Sequence, residues 1–373
     1  MNQRHLVVSA INFSEGGPLT ILIESLEAAG ELLGPEWTIT ALVHREDLIE
    51  NPRVRTIAFP RSKSSWLRRL RYEWLDFARL SRELDADLWV SLHDITPRVQ
   101  AKRQVVYCHN PSPFYRPNSV EARFDPSFIL FNKFYLLLYR AFIRRNHAVV
   151  VQQSWLRDAF RKATGHPNII VAYPGQQDSP GEPTAQAPAA LAQATRERPL
   201  RLLYPALPRV FKNIETLCEA AKLLAPDVAE RIDIRLTLDG SENRWAAELA
   251  RRYGAVRGVS MIGRQARADM MREYRDCDAV LFPSRLETWG LPITEAKGFA
   301  KPLLVADLPY ARETVGTYDR VDFLPAGDPA AWAARITAMV EGRWEGGSQI
   351  APQPAEPFAR DWRSLWAILT KGL

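Results

Sequence analysis

Phe282-Pro-Ser-Arg-Leu-Glu287-Thr-Trp-Gly290-Leu-Pro-Ile-Thr-Glu295-Ala-Lys-Gly-Phe-Ala-Lys-Pro302 is the stretch that decides the fold, with Ala306-Asp-Leu-Pro309 and Arg312-Glu-Thr-Val-Gly316 continuing it. Two carboxylates, Glu287 and Glu295, stand eight positions apart around a Gly290-Leu291-Pro292 turn. The apolar run from Asp278 to Pro283 reads as a buried strand. Pro292 can open a helix, because its fixed φ suits the first turn and its missing N–H is not needed there. Glu295 is then expected in that first turn, where the helix dipole favours a carboxylate. The free N–H groups at such a start can also hold a phosphate. Two glutamates at this spacing are by themselves a common accident, and a helix start with incidental acids would look the same.

Outward from this stretch, strand and helix signals alternate. In the first half, strands are expected at Leu6–Ile11, Thr38–Val43, Asp87–Leu92, Gln104–Cys108 and His147–Val151. Helical patterns run through 19–33, 66–84, 127–145 and 154–163, with Ser154 as an N-cap. Residues 176–199 are rich in Pro, Ala, Gln and Gly and read as a linker or exposed loop. The alternation then restarts. Strands are expected at Leu200–Tyr204, Asp233–Leu238, Val259–Ile262 and Ala279–Phe282. Helices are expected at Asn213–Leu224, Arg244–Tyr253 and Arg267–Cys277. The chain closes on an amphipathic pattern, 358–373, with Trp362, Leu365, Trp366 and Leu369 on one face. Strands alternating with helices argue for mostly parallel sheets covered on both sides. The expectation is two doubly wound, Rossmann-like α/β domains, 1–175 and 200–355, with 356–373 as a separate terminal helix. Ligands of such sheets sit beyond the carboxyl ends of the strands.

Composition bounds the rest. A chain of 373 residues fits two domains of ordinary size. It carries 49 Lys/Arg against 43 Asp/Glu, a net charge of +6, and the whole excess lies in residues 1–175. No apolar run is long enough to span a membrane as a helix, and the N-terminal apolar run is too brief for a signal peptide. Cys108, Cys218 and Cys277 are far apart and lack metal spacing, which points to buried hydrophobes in a reducing, cytoplasmic compartment. No His-Glu-x-x-His pattern or Asp-x-Asp in a metal-binding setting is present, so no metal and no cofactor are expected.

Four further segments bear chemistry. Tyr204-Pro-Ala-Leu-Pro-Arg209-Val-Phe-Lys212-Asn213 follows a strand and opens a helix. Arg209 and Lys212 there suit a diphosphate, Arg as a bidentate donor and Lys as a compact charge. Gly16 and Gly17, after the first strand, let backbone approach a ligand closely. His109, in Val105-Val-Tyr-Cys-His-Asn-Pro111, stands just past a strand's carboxyl end and can donate to a hydroxyl. His93 and Asp94 occupy a similar place, with a structural reading equally good. Residues 61–82 hold seven basic and two acidic side chains, with Trp66, Leu70, Trp74 and Phe77 at helical spacing. That is either the composition of an interfacial helix drawn to an anionic membrane surface or a core-packed helix with solvated arginines. Residues 128–145 are apolar almost all round and are expected to be mostly buried.

The stretch 282–316 resembles the Glu-x7-Glu signature of retaining nucleotide-sugar glycosyltransferases, in particular glycosyltransferase family 4, and the likeness extends over most of the chain. The resemblance implies the GT-B architecture, two domains facing across a cleft with a C-terminal helix crossing back to the first. It implies catalysis without a metal, by front-face transfer with retained configuration. It gives Glu295 the donor's ribose, places Glu287, Gly290 and Leu291 at the donor sugar and diphosphate, and gives Arg209 and Lys212 the diphosphate. Gly16 and Gly17 would close over the donor, His109 would touch the sugar, and Arg264 would lie where the nucleobase pocket begins. The donor would be a nucleotide-sugar, GDP-mannose or a related GDP- or UDP-sugar. The acceptor would be a glycan or lipid-linked molecule in bacterial surface polysaccharide or lipopolysaccharide synthesis, at the inner membrane face. Two other readings stand beside this one: a sugar-nucleotide epimerase, for which no convincing acid/base set is present, and a non-catalytic nucleotide-binding subunit, against which Glu287, Glu295 and Lys212 argue. Nucleic acid is excluded as a partner by the small charge excess and the absence of a recognition motif.

Overall fold

The computed structural model describes residues 3–175 and 193–373. Most of the expected linker, residues 176–192, lies outside the described part. Over its described residues the chain forms two compact units. One takes Met1–Phe114, Phe131–Gln176 and Gln353–Leu373, and the other takes Tyr115–Leu130 and Gln177–Pro352.

The first unit is built on β1 (Arg4–Ser9), β2 (Trp37–Val43), β3 (Val54–Ala58), β4 (Ala86–Ser91), β5 (Ala101–Cys108), β6 (Ala148–Val151) and β7 (Ile169–Ala172). The second is built on β8 (Leu200–Tyr204), β9 (Ile232–Leu236), β10 (Val259–Met261), β11 (Ala279–Phe282), β12 (Leu303–Ala306), β13 (Tyr318–Leu324) and β14 (Gly347–Gln349). A last short strand, β15 (Phe358–Ala359), returns to the first sheet. The sheet orders are β15-β7-β6-β5-β4-β1-β2-β3 and β10-β9-β8-β11-β12-β13-β14. Pairing is parallel except for β14, which runs antiparallel to β13. The central strands β6, β7, β11 and β12 are buried at every residue, as expected when helices cover both faces of a parallel sheet. This is why they read as continuous apolar runs.

Both sheets reverse direction once. In the first, β1 and β4 lie side by side; in the second, β8 and β11 do. At such a switch point the two following loops diverge and leave a crevice at the carboxyl ends of the strands.

Three expectations need correction here. The first domain was expected as 1–175, yet 115–130 packs with the second unit. Phe124 lies against Trp245 with ring centroids 4.8 Å apart, and Phe128 against Phe211 at 5.3 Å. Glu121 and Asp125 pair with Arg285 and Arg209, at 3.4 and 2.9 Å. The terminal helix Trp362–Thr370 is part of the first unit, as a helix crossing back requires. It is capped by Asp361, its four apolar side chains are buried, and Trp366 Nε1 donates to Ser25 O at 2.7 Å. Ser154 is the first helical residue; Gln153 holds the N-cap position.

The third correction concerns the apolar segments 61–82 and 128–145. The first forms one continuous helical run, Trp66–Arg71, a π turn Tyr72–Asp76, and Phe77–Leu84. Phe77 is fully buried and Leu70 and Trp74 pack on the core, so this face turns inward. Leu67 and Leu75 are exposed, and so is Trp66, which does not share the burial of the rest of the expected face. In the helix Pro126–Arg140, Phe128, Tyr135, Leu138 and Tyr139 are buried, but Leu130, Phe134 and Leu137 face outward. Among the described residues no helix is long and apolar enough to cross a membrane.

Candidate functional site

The crevice of the second unit opens between β8 and β11. After β8, Pro205 and Pro208 prevent a helix from starting at once, and the chain makes one 3-10 turn, Val210–Lys212. Asn213 follows in the left-handed conformation, φ 59°, which Asn adopts more readily than most residues. Its fully buried amide donates to Pro283 O at 2.9 Å and Ala326 O at 2.7 Å. Tyr204 donates to Lys212 O at 2.6 Å. These bonds tie the loop after β8 to the end of β11, and so set where Lys212 stands.

Lys212 Nζ lies 2.5 Å from Glu287 Oε1, with the two side chains 17% and 13% exposed. A pair this sheltered is screened weakly, while its remaining exposure lets a solute reach it. The ammonium also lies 5.7 and 5.9 Å from the ring centroids of Phe211 and Phe282. Burial, and then the Glu287 charge, pushes the Tyr204 and Tyr310 hydroxyls well above their ordinary range, so both serve as neutral donors. Tyr310 donates to Ser284 O at 2.6 Å.

Gly290 takes φ 85°, ψ 58°, the left-handed geometry that lets the chain turn from the Glu287 loop into the helix Leu291–Gly298. Trp289 Nε1 donates to Thr294 Oγ1 at 3.0 Å, closing the turn over the helix start. Leu291 is half exposed at the helix mouth. Glu295 does not fall in the first turn: the helix begins at Leu291, so Glu295 comes one residue later and is held by side chains rather than by the dipole. Tyr274 donates to its Oε2 at 2.7 Å, and Arg267 pairs with its Oε1. Arg264 is exposed on the loop before that arginine's helix.

Arg209 does not join Lys212. Its guanidinium pairs with Asp125 at 2.9 Å and lies 5.8 and 5.6 Å from the Phe128 and Phe211 ring centroids. Arg285, inside the quoted stretch but unassigned by sequence reasoning, pairs with Glu215 at 3.0 Å and Glu121 at 3.4 Å. Burial raises the Glu215 carboxyl, and Arg285 pulls it partly back. Asp125, Arg285, Arg267 and Tyr274 were missed because each acts on a residue far away in sequence. Only Arg285 carried a signal, as a charge inside an otherwise apolar strand-to-turn segment.

In the first unit, Gly16 has φ 64° and opens the helix Gly16–Leu32 together with Gly17. An added Cβ at Gly16 would meet nothing within 4 Å, so the glycine answers to backbone angle rather than crowding. His109 is half-buried, its Nε2 3.6 Å from Asp94 Oδ2 and its ring edge-on to Phe13 at 5.6 Å. Asp94 is buried and accepts from His109 N (2.7 Å), Asn110 N (3.2 Å), Tyr135 (2.9 Å) and Tyr139 (3.0 Å). His93 is fully buried too, so neither residue lines an open surface, in keeping with the structural reading of both. His93 Nε2 lies 3.1 Å from Glu73 Oε1 and 3.1 Å from Ser9 Oγ, while Arg69 donates to His93 O at 2.7 Å. Arg69 also faces Nδ1 at 3.2 Å; because Arg only donates, the imidazole proton sits on Nε2. The three cysteines are free and buried. Among the described residues no group of three or more His, Cys, Asp or Glu is placed to hold a metal ion.

Residues 193–351, nearly all of the second unit, match the family model described as glycosyl transferases group 1. No curated protein matches the chain in sequence. Solved structures resemble it at low identity. Sucrose-phosphate synthase from Thermosynechococcus elongatus is 18% identical, with a TM-score of 0.64 over 92% of this chain and 91% of that one. WaaG, a glycosyltransferase involved in lipopolysaccharide biosynthesis, is 15% identical, with 0.59 over 91% and 94%. Anabaena HepE in complex with UDP-glucose is 16% identical, with 0.57 over 91% and 93%. Together with the two Rossmann-like sheets, these likenesses make the fold GT-B.

Proposed function

We propose that the protein is a retaining glycosyltransferase of the family 4 type, which moves a sugar from a nucleotide-sugar to a glycan or lipid-linked acceptor. The observation that carries this reading is the Lys212–Glu287 pair, 2.5 Å apart at the switch point of a sheet whose sequence matches the glycosyl transferases group 1 model. A cation and a carboxylate held together there can exchange partners when a donor enters. Lys212 turns to a phosphate oxygen, and Glu287 is released towards the sugar hydroxyls. A nucleoside diphosphate gains negative charge as it leaves, and a fixed ammonium beside it lowers the barrier. Arg209 supports the same charge once it leaves Asp125. Glu295, already accepting from Tyr274 and Arg267, takes the ribose hydroxyls. Gly290 and Leu291 bring free backbone N–H groups towards the phosphates. Arg264 borders the base, and Gly16, Gly17 and His109 close over the diphosphate and touch the sugar.

No metal is needed in this scheme, because side-chain cations and helix starts neutralise the diphosphate. The leaving phosphate oxygen takes the acceptor's proton, and the anomeric configuration is retained. HepE was solved with UDP-glucose, and WaaG acts in lipopolysaccharide biosynthesis. A UDP-sugar therefore joins GDP-mannose among the first donors to try, and surface polysaccharide or lipopolysaccharide is the proposed product. A cytoplasmic enzyme that meets a lipid-linked acceptor at the inner membrane face fits this setting.

The test is a thermal-shift screen with UDP, GDP, dTDP and CMP, followed by transfer assays with the matching sugars. Lys212→Ala is expected to lower transfer at least a hundredfold, about what removal of one transition-state donor costs, and Glu295→Ala to lower it greatly by loss of the ribose contact, while the circular dichroism spectrum of each stays unchanged. Unaltered turnover in both variants removes the assignment.

A further inference from the structure

Residues 115–130 leave the first unit after Phe114, pack with the second, and rejoin the first at Phe131. Among the described residues, two ion pairs fasten this segment to the rest of the second unit. Glu121 reaches Arg285 at 3.4 Å, but that arginine has a nearer partner in Glu215 at 3.0 Å. Asp125 Oδ2 meets Arg209 at 2.9 Å and is the closer fastening. Asp125 also stands at the joint between the helices Ser119–Phe124 and Pro126–Arg140. Its Oδ1 accepts from Ser127 Oγ at 2.8 Å and from Phe128 N at 3.1 Å, which caps the second of them. One carboxylate thus fixes both the bend inside the segment and its hold on the second unit.

Arg209 is placed to change partners. Its backbone is held on both sides, the N–H donating to Leu207 O at 2.8 Å and the carbonyl accepting from Lys212 N at 2.9 Å. Its side chain is 47% exposed, and the Phe211 ring of its own loop gives the guanidinium a contact that does not depend on Asp125. Rotation of the side chain alone therefore carries it away from Asp125. A carboxylate and a phosphate offer a guanidinium the same kind of paired acceptor oxygens.

We propose that Asp125 is an internal stand-in for the donor's phosphate: it occupies Arg209 until a nucleoside diphosphate takes that guanidinium over, and the exchange loosens segment 115–130 from the second unit. The inference rests on the proposed function in taking Lys212 and Arg209 as the cations of the diphosphate. Segment and ligand compete for one cation, so each weakens the other by the same factor. A part-exposed ion pair sets that factor at about three- to fivefold. Asp125 thereby tunes donor affinity without touching the donor, and donor occupancy is passed to a segment whose two ends run into the first unit.

The experiment is calorimetric titration of the full chain with UDP, GDP, dTDP and CMP, with amide hydrogen exchange of peptides covering 115–130 measured alongside. Asp125→Asn keeps an oxygen to cap the following helix, and is expected to bind the preferred nucleotide about three- to fivefold more tightly than the wild type. Arg209→Ala is expected to bind more weakly, and adding Asp125→Asn to it is expected to change nothing further. Saturating nucleotide is expected to speed exchange across 119–125 by a similar factor in the wild type. Asp125→Asn is expected to show that faster exchange without nucleotide. Equal or weaker binding by Asp125→Asn overturns the proposal, because Asp125 would then be a bystander or a residue that orients Arg209 towards the phosphate. A gain that persists in the Arg209→Ala background also overturns it, as plain repulsion between carboxylate and phosphates. So does exchange that nucleotide leaves unaltered. Each of these three results leaves the proposed function standing, whereas failure of the wild type to bind any of the four nucleotides removes both.

Discussion

Replacing Glu73 with Gln should change how stability depends on pH. Glu73 is fully buried in the π turn, and burial pushes its carboxyl from an ordinary 4.5 up to about 8, with the Arg69 charge pulling partly back. Burial, reinforced by that same charge, holds His93 well below its usual range, so the imidazole beside it is neutral. An acid whose folded pKa is raised keeps a proton that the unfolded chain has released. Between about pH 4.5 and 8 the folded state therefore binds more protons, and stability falls as pH rises through that window. A span of about 3.5 in pH, at about 1.4 kcal/mol each, sets a ceiling of about 5 kcal/mol on the loss. Glu73→Gln keeps the shape and abolishes the titration. Urea denaturation of both proteins, following the first unit's transition at intervals from pH 5 to 9, should show similar midpoints at pH 5. The variant should gain steadily to pH 8, and the gap should then level off. A protonated-carboxyl infrared band present at pH 6, lost above pH 8 and absent from the variant would report the same group directly. A stability gap that stays flat from pH 5 to 8 would refute the reasoning.

Two further outcomes concern the second unit. Arg285→Ala leaves Glu215 and Glu121 without their shared cation, and Glu215 is already raised by burial. Because Arg285 keeps some solvent contact, the cost should fall somewhat below the roughly 3–5 kcal/mol of breaking a fully buried pair. It should grow as pH rises above the carboxylate range, and equal losses at pH 5 and 8 would contradict the charge argument. Gly290→Ala forces a side chain into φ 85° and sets its Cβ 3.4 Å from Ile293 Cδ1. About 1–2 kcal/mol of backbone strain is expected, together with weaker nucleotide binding by calorimetry as the Glu287 loop shifts; wild-type affinity would separate the turn from the donor site.

Much of the fold was legible because its strands are buried on both sides. β8, β11 and the helix Arg244–Tyr253 begin and end where the apolar patterns do. β3, β7, β13, β14 and β15 were not among the expected strands: β3 is an edge strand with an exposed arginine in it, and β13 carries Asp319, Arg320 and Asp322, which break its apolar run. The helical run 66–84 was legible as a helix but not as to orientation. It carries two apolar stripes at helical spacing, Leu70–Trp74–Phe77 and Leu67–Leu75, and which one turns inward depends on the sheet it meets. The allegiance of 115–130 was hidden for a similar reason, since Glu121 and Asp125 find their arginines more than eighty positions away.

The candidate site shows the same division between local pattern and distant partner. Glu287 and Lys212 were each readable from their own segments, but their meeting follows from the parallel pairing of β8 with β11 and from the Asn213 amide that clamps both loops. Comparing the two switch points takes this further. Each sheet places polar side chains at the carboxyl ends of its central pair of strands. In the first unit, Ser9 and His93 stand there wholly buried, and Glu73 and Arg69 of the helical run 66–84 pack on His93, so that crevice is filled by the protein itself. In the second, Lys212 and Glu287 remain partly open and are joined by one ion pair that an anionic ligand can replace. A crevice filled with buried side chains resists a charged ligand, because entry would displace packed groups and strip buried partners. A crevice lined by an exchangeable cation admits one at little cost, which is the physical reason for proposing the second unit as the place of the nucleotide.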